Sequence, residues 1–208
     1  MFTDRSDAGA RLASLIAERV EPPAVVLGIP RGGAIVAGRA AALLGWPLDL
    51  VVTKKLGAPG NPELGIGAVA PGVRIIDQEV IRVLGISDEW LDEETARVVA
   101  EVDRRTDAFR AGSRAIFSGQ TAVIVDDGVA TGGTARAAGM WARGRGAVRV
   151  VLAVPAAPPG VERRVGDAFD VVLALERPAD FLAVGQCYRD FTQVSDEEVH
   201  AAMWPYTA

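Results

Sequence analysis

Apolar and polar positions fall into blocks along this chain, and each block carries its own period. Leu12, Leu15, Ile16 and Val20 recur at helical spacing with Arg11, Glu18 and Arg19 outside the stripe, which predicts a helix over residues 7–20. Glu21-Pro22-Pro23 ends it, because a residue before proline is pushed out of the helical region. Ala24–Ile29 is a short buried strand, Pro30-Arg31-Gly32-Gly33 a turn, and Ala34–Leu44 a helix of small residues closed by Gly45. Leu48–Thr53 reads as a second strand. The stretch from Lys54 to Gly65 is dominated by Gly, Pro and Lys and reads as a long loop. Ile66–Val69 and Val73–Ile76 form a hairpin pattern around Ala70-Pro71-Gly72.

Residues 78–111 change character. Charges crowd in, and Leu91, Thr95, Val98, Val102 and Phe109 mark one helical face, so a helix is expected from about 88 to 110 behind an N-cap at Ser87. At ~1.5 Å per residue it would run roughly 33 Å. Residues 77–113 therefore read as a helical insertion whose job is cover, flap support or subunit contact. Farther on, Val123–Asp127 is an apolar strand ending in two acids, Gly133–Arg143 a crossover helix, and Val148–Val154 and Val171–Leu175 two more strands around a short helix at 159–166. The tail 179–208 begins irregularly, holds Phe181, Tyr188 and Phe191, and closes with a helix opened by the capping box Ser195–Glu198. Continuous apolar runs, rather than alternation, predict a mostly parallel sheet with helices on both faces: one α/β domain over residues 1–208.

Composition narrows the chemistry. Half of the 208 residues are hydrophobic and 24% are charged, a globular balance, and the net charge of −5 argues against a nucleic-acid partner. Cys187 is the lone cysteine and His200 the lone histidine, so neither an internal disulfide nor a zinc set can form, and thiol catalysis has little support. The first residues carry acids and no apolar core of a signal peptide. No run approaches the ~18 apolar residues that a membrane span needs. The expectation is a cytoplasmic protein without a membrane partner.

The most informative segment is Val123 to Thr134, Val-Ile-Val-Asp-Asp-Gly-Val-Ala-Thr-Gly-Gly-Thr. Asp126 and Asp127 close a buried strand, and Ala130-Thr131-Gly132-Gly133-Thr134 leads into a helix. Unpaired amides and hydroxyls at a helix N-terminus suit a phosphate monoester, while carboxylates suit sugar hydroxyls. A ribose 5-phosphate offers both groups in that order. The twelve residues resemble the phosphoribosyl pyrophosphate (PRPP) motif of type I phosphoribosyltransferases at every anchor position.

That resemblance implies transfer of a 5-phosphoribosyl group from PRPP to a small nitrogenous base or amine, with pyrophosphate leaving. It implies Asp126 and Asp127 on the ribose hydroxyls, and Mg²⁺ as a cofactor held indirectly by the pair through those hydroxyls or water. It implies a phosphate seat from Gly128, Val129 and Ala130 through Thr131, Gly132, Gly133 and Thr134. Arg31, Gly32 and Gly33 resemble the family's pyrophosphate loop, and Lys54 and Lys55 stand at the base of what is similar to its catalytic flexible loop. Which lysine faces inward is open, since neighbours on an extended chain point opposite ways. Members acting on 6-oxopurines often carry an acid three residues after the second Asp, where this chain has Ala130, which puts hypoxanthine and guanine in doubt. The tail could form a hood, with Tyr188 or Phe191 stacking on the acceptor. The fold often pairs, so a homodimer is possible. One alternative is a regulatory module that senses PRPP or a nucleotide without turnover. A dinucleotide-dependent oxidoreductase is disfavoured, since Gly28-Ile-Pro-Arg-Gly-Gly33 does not fit Gly-x-Gly-x-x-Gly.

Overall fold

The computed structural model describes residues 1–109 and 118–207. The last residues of the predicted insertion, 110–113, and Ala208 of the predicted tail lie outside the described residues. Helix α1 (Arg5–Arg19) is capped by Asp4, whose side chain accepts from the Asp7 amide, and it leads into β1 (Ala24–Gly28). Helix α2 (Gly32–Leu44) then ends at Gly45, which takes the left-handed φ of 68° that a C-cap favours. Strand β2 is short (Leu48–Leu50). Strands β1 and β2 pair in parallel, as do β1 and β6 (Thr121–Val125), β6 and β7 (Arg149–Ala156), and β7 and β8 (Val171–Glu176). The sheet order is β2-β1-β6-β7-β8.

Both faces of this sheet are covered, as uninterrupted apolar strands require. Leu12, Ile16, Val36 and Ala40 from α1 and α2 pack on one face together with Val199 and Met203 of α7 (Asp196–Thr207). On the other face sit Ala135, Ala138 and Trp141 of α5 (Gly133–Gly144) and Val161 and Val165 of the short α6 (Val161–Val165). The register sets Gly28 beside Val125 and Val125 beside Ala153. The loops that leave β1, β6 and β7 therefore emerge together at one edge.

The expected loop at 54–65 is instead a β-hairpin. Strand β3 (Lys54–Ala58) pairs antiparallel with β4 (Asn61–Ala70), and β4 pairs with β5 (Val73–Ile76), giving a second sheet of three strands. Two of the glycines that read as loop residues, Gly57 and Gly60, are needed by the pairing. Gly60 takes φ 72° in the turn, and a Cβ on Gly57 would lie 2.6 Å from the Pro62 backbone. Strand 2 is correspondingly shorter than the run to Thr53, and α2 begins at Gly32, two residues before the expected start. The insertion holds two helices, α3 (Gln78–Leu84) and α4 (Asp88–Phe109), rather than one. Asp77 caps the first by accepting from the amides of Glu79 and Val80, and Ser87 caps the second through the Trp90 amide. Helix α4 packs on β3 and β4, and α5 packs on β4 and β5, so the small sheet is held between them.

Ile124 is fully buried at the centre of β6. Ile124→Ala should cost about 2–5 kcal/mol of unfolding free energy, measured by urea denaturation.

Candidate active site

Two glycines and two acids meet where β1 and β6 end. An added Cβ on Gly32 would sit 1.9 Å from Asp127 Oδ2, and one on Gly33 would sit 2.7 Å from Asp126 Cα. Only glycine allows the 30–33 loop to lie against the acid pair. The Asp127 amide donates to Asp126 Oδ1 at 2.8 Å, which fixes the first carboxylate against its own backbone. Asp127 Oδ2 accepts from Arg5 Nε at 2.8 Å. Arg5 also donates through Nη1 to the Thr192 carbonyl at 2.8 Å, and its guanidinium carbon stands 4.0 Å from the centre of the Phe191 ring. The Tyr188 hydroxyl donates to the Asp127 carbonyl at 2.6 Å. Helix α1 and the tail thus close around one side of the pair.

Burial pushes the Asp126 carboxyl well above the ordinary carboxylate range, and the neighbouring Asp127 charge pushes it the same way. Burial raises Asp127 too, against the opposing effect of Arg5. These two carboxyls are costly to keep ionised in the free protein and suit a ligand that supplies hydroxyl donors or positive charge.

Beyond the acids, Val129 is pinned by its amide to the Ala156 carbonyl at 2.9 Å, and the Ala130 carbonyl accepts from Arg164 Nη1 at 2.6 Å. Gly132 turns the chain with φ 85°, and α5 starts at Gly133. Among the described residues, the amides from Ala130 to Thr134 donate to no carbonyl outside α5. The turn therefore presents free donors at a helix N-terminus. It lines a cleft of about 750 Å³. Lys55, Gly67 and Ala68 of the small sheet form the opposite wall, and the lining also includes Glu63, Asp77, Arg136, Arg164 and Val184. Gly128 and Val129 carry that lining back to the acids.

The predicted residues divide between these surroundings. Asp126, Asp127, Gly32 and Gly33 are in contact. Gly128, Val129, Ala130, Thr131, Gly132, Gly133 and Thr134 line the cleft. Arg31, at the start of α2, lies 3.8 Å from Asp196 Oδ1 of α7. Lys54 is bonded to Glu101 of α4 and does not line the cleft, whereas Lys55 does, paired with Glu63 at 2.8 Å. Tyr188 and Phe191 pack on each other, 4.9 Å between ring centres, and neither lines the cleft; Val184 is the tail residue that does. Packing under Arg5 and bonding to Asp127 occupy both aromatics. Among the described residues, no three His, Cys, Asp or Glu side chains gather as a metal cage. No described helix is long and apolar enough to cross a membrane.

Sequence reading missed Arg5, Arg136 and Arg164. Arg5 meets Asp127 only through tertiary structure and leaves no local signal. Arg136 lies two residues beyond Thr134, so its place in the first turn of the motif helix was a usable clue.

A family model for the phosphoribosyl transferase domain matches residues 2–192. Proteins from two strains of Mycobacterium tuberculosis, provisionally named as phosphoribosyl transferases, are 46% identical to this chain over 203 residues, 97% of it. The chain spans 46% of the length of those curated relatives. The crystal structure of a Thermus thermophilus protein is similar over 100% of this chain and 99% of that one, with 41% identity and a TM-score of 0.83.

Asp126→Asn keeps the oxygen that accepts from the Asp127 amide and removes a buried charge. A raised carboxyl pKa makes the native state most favourable below the unfolded value and costs stability as pH rises through the folded one. The variant should therefore melt higher than wild type at pH 8, with the gap closing toward pH 4, as read by calorimetric scans of the free protein across that range.

Proposed function

This chain belongs to the phosphoribosyl transferase domain family, and from that premise we propose that it transfers the 5-phosphoribosyl group of PRPP to a small nitrogenous acceptor, releasing pyrophosphate. One observation carries the reading: a half-buried acid pair and a turn of free amides follow one another at the same sheet edge, where the diol and the phosphate of a single sugar would meet them in that order.

In this reading the Thr131–Thr134 turn seats the 5-phosphate and fixes the ring, which removes much of the entropic cost of alignment. Asp126 and Asp127 accept from the ribose hydroxyls. They also place negative charge beside C1, where an oxocarbenium-like cation develops as the C1–oxygen bond breaks. The 30–33 loop, with Arg31 and the N-terminus of α2, receives the departing pyrophosphate. Lys55 on β3 faces the same cleft, and the hairpin narrows it against water, which would otherwise compete as nucleophile.

Two neighbouring carboxylates, with no third candidate ligand gathered beside them among the described residues, fit a hard divalent ion bound mainly through substrate oxygens and water. When bound, Mg²⁺ would neutralise pyrophosphate charge and improve it as a leaving group. The acceptor is a base or amine that needs no acid at position 130, where an exposed Ala130 stands. Sensing of PRPP without turnover is the other outcome of the test below.

Calorimetry with PRPP and Mg²⁺ should show binding to wild type and at least a tenfold loss, about 1.4 kcal/mol, in Asp127→Asn. Equal affinity would remove the acids from the site. PRPP consumption with a panel of bases then separates turnover from sensing.

A further inference from the structure

Among the described residues, the cleft contains one arginine with neither an ion-pair partner nor a hydrogen-bond acceptor for its buried Nε. Lys55 is paired with Glu63. Asp77 is occupied in capping α3. Arg164 gives an Nη1 hydrogen to the Ala130 carbonyl. Arg136, in the same lining, has no ion-pair partner among the described residues, and its Nε is buried without any hydrogen-bond acceptor. A buried guanidinium N–H left unsatisfied is costly, by more than a neutral donor in the same place. Such a group calls for an anion.

Its position says which anion. The Arg136 amide donates to the Gly132 carbonyl at 2.8 Å, which closes the first turn of α5. Side chains on a helix lean toward its N-terminus, so a residue at the fourth helical position covers the turn before it. That turn is Gly132–Gly133, whose amides are free. The planar fork of a guanidinium matches two phosphate oxygens at once, which backbone amides alone do not cover.

We infer that Arg136 is a phosphate-binding residue of this site, closing over a phosphate monoester dianion seated on the Thr131–Thr134 turn. The inference rests on the reading of that turn as a phosphate seat and adds to it the side chain that selects for charge. Arg164, also in the lining, holds the Ala130 carbonyl at the start of the turn.

The test uses the full chain and calorimetric titration with ribose 5-phosphate, with uncharged ribose as control. Arg136→Gln should bind ribose 5-phosphate at least tenfold more weakly, with a shallower dependence on salt. Arg136→Lys should fall between the two, because a point charge cannot pair with two oxygens. Without ligand, the Gln variant should melt no lower than wild type, since an unanswered buried donor is gone; a merely structural arginine would give a lower melting temperature and an unchanged affinity. Wild-type affinity in the Gln variant overturns the assignment while leaving the proposed function standing. If the Gln variant does not fold, the Lys variant decides, and wild-type affinity in it overturns the assignment. Failure of wild type itself to bind ribose 5-phosphate would overturn the phosphate seat and the proposed function together.

Discussion

The site depends on the bare backbone of Gly32 and Gly33 lying against two carboxylates. Strand order makes this contact possible, because β1 and β6 are neighbours and end at the same level. Any side chain at either glycine would strike Asp126 or Asp127. The close approach also takes water away from the acids, which is why their carboxyls are driven upward. Two like charges half-buried side by side work against stability, and a fold selected only for stability would not retain them. A ligand that supplied hydrogen-bond donors or counter-charge would relieve that cost.

Arg5 partly offsets that cost, and in doing so it ties distant parts of the chain together. Its guanidinium joins Asp127, the Thr192 carbonyl and the Phe191 ring. Tyr188 adds a second link from the tail to the Asp127 carbonyl, and Phe2 packs against Tyr188 with ring centres 5.3 Å apart. The start of α1 and the tail therefore form one wall behind the acids. This gives the tail a role as support, in addition to Val184, which it presents to the cleft.

The sequence made some of this legible and hid the rest for identifiable reasons. The parallel sheet could be read because strands buried on both faces must be apolar throughout. The Ser195 capping box could be read because its reciprocal bonds, Ser195 amide to Glu198 and Glu198 amide to Ser195, are local. The twelve-residue motif could be read because acids and cradle are contiguous in the chain. The hairpin at 54–70 could not, since glycines that allow cross-strand approach look the same in sequence as glycines of a loop. Arg5 lies 122 residues from Asp127, and no local pattern encodes that pairing. Tyr188 and Phe191 read as stacking candidates because aromatic residues announce size and not direction.

The two lysines left undecided by the sequence are separated by strand geometry. Once residues 54–58 form a strand, successive side chains leave on opposite faces. Lys54 turns to α4 and bonds Glu101, while Lys55 turns to the cleft and bonds Glu63. These bonds differ in kind. Glu101 is held on a helix packed against the hairpin, with both partners partly shielded, so that pair anchors the small sheet to α4. The Lys55–Glu63 pair has side-chain exposures of 46% and 86%, and an ion pair so open to water adds little stability. Opening the Lys55–Glu63 pair therefore costs little, whereas the Lys54–Glu101 pair links the hairpin to α4. Of the insertion's expected jobs, cover, flap support or subunit contact, the packing of α4 on β3 and β4 is compatible with flap support.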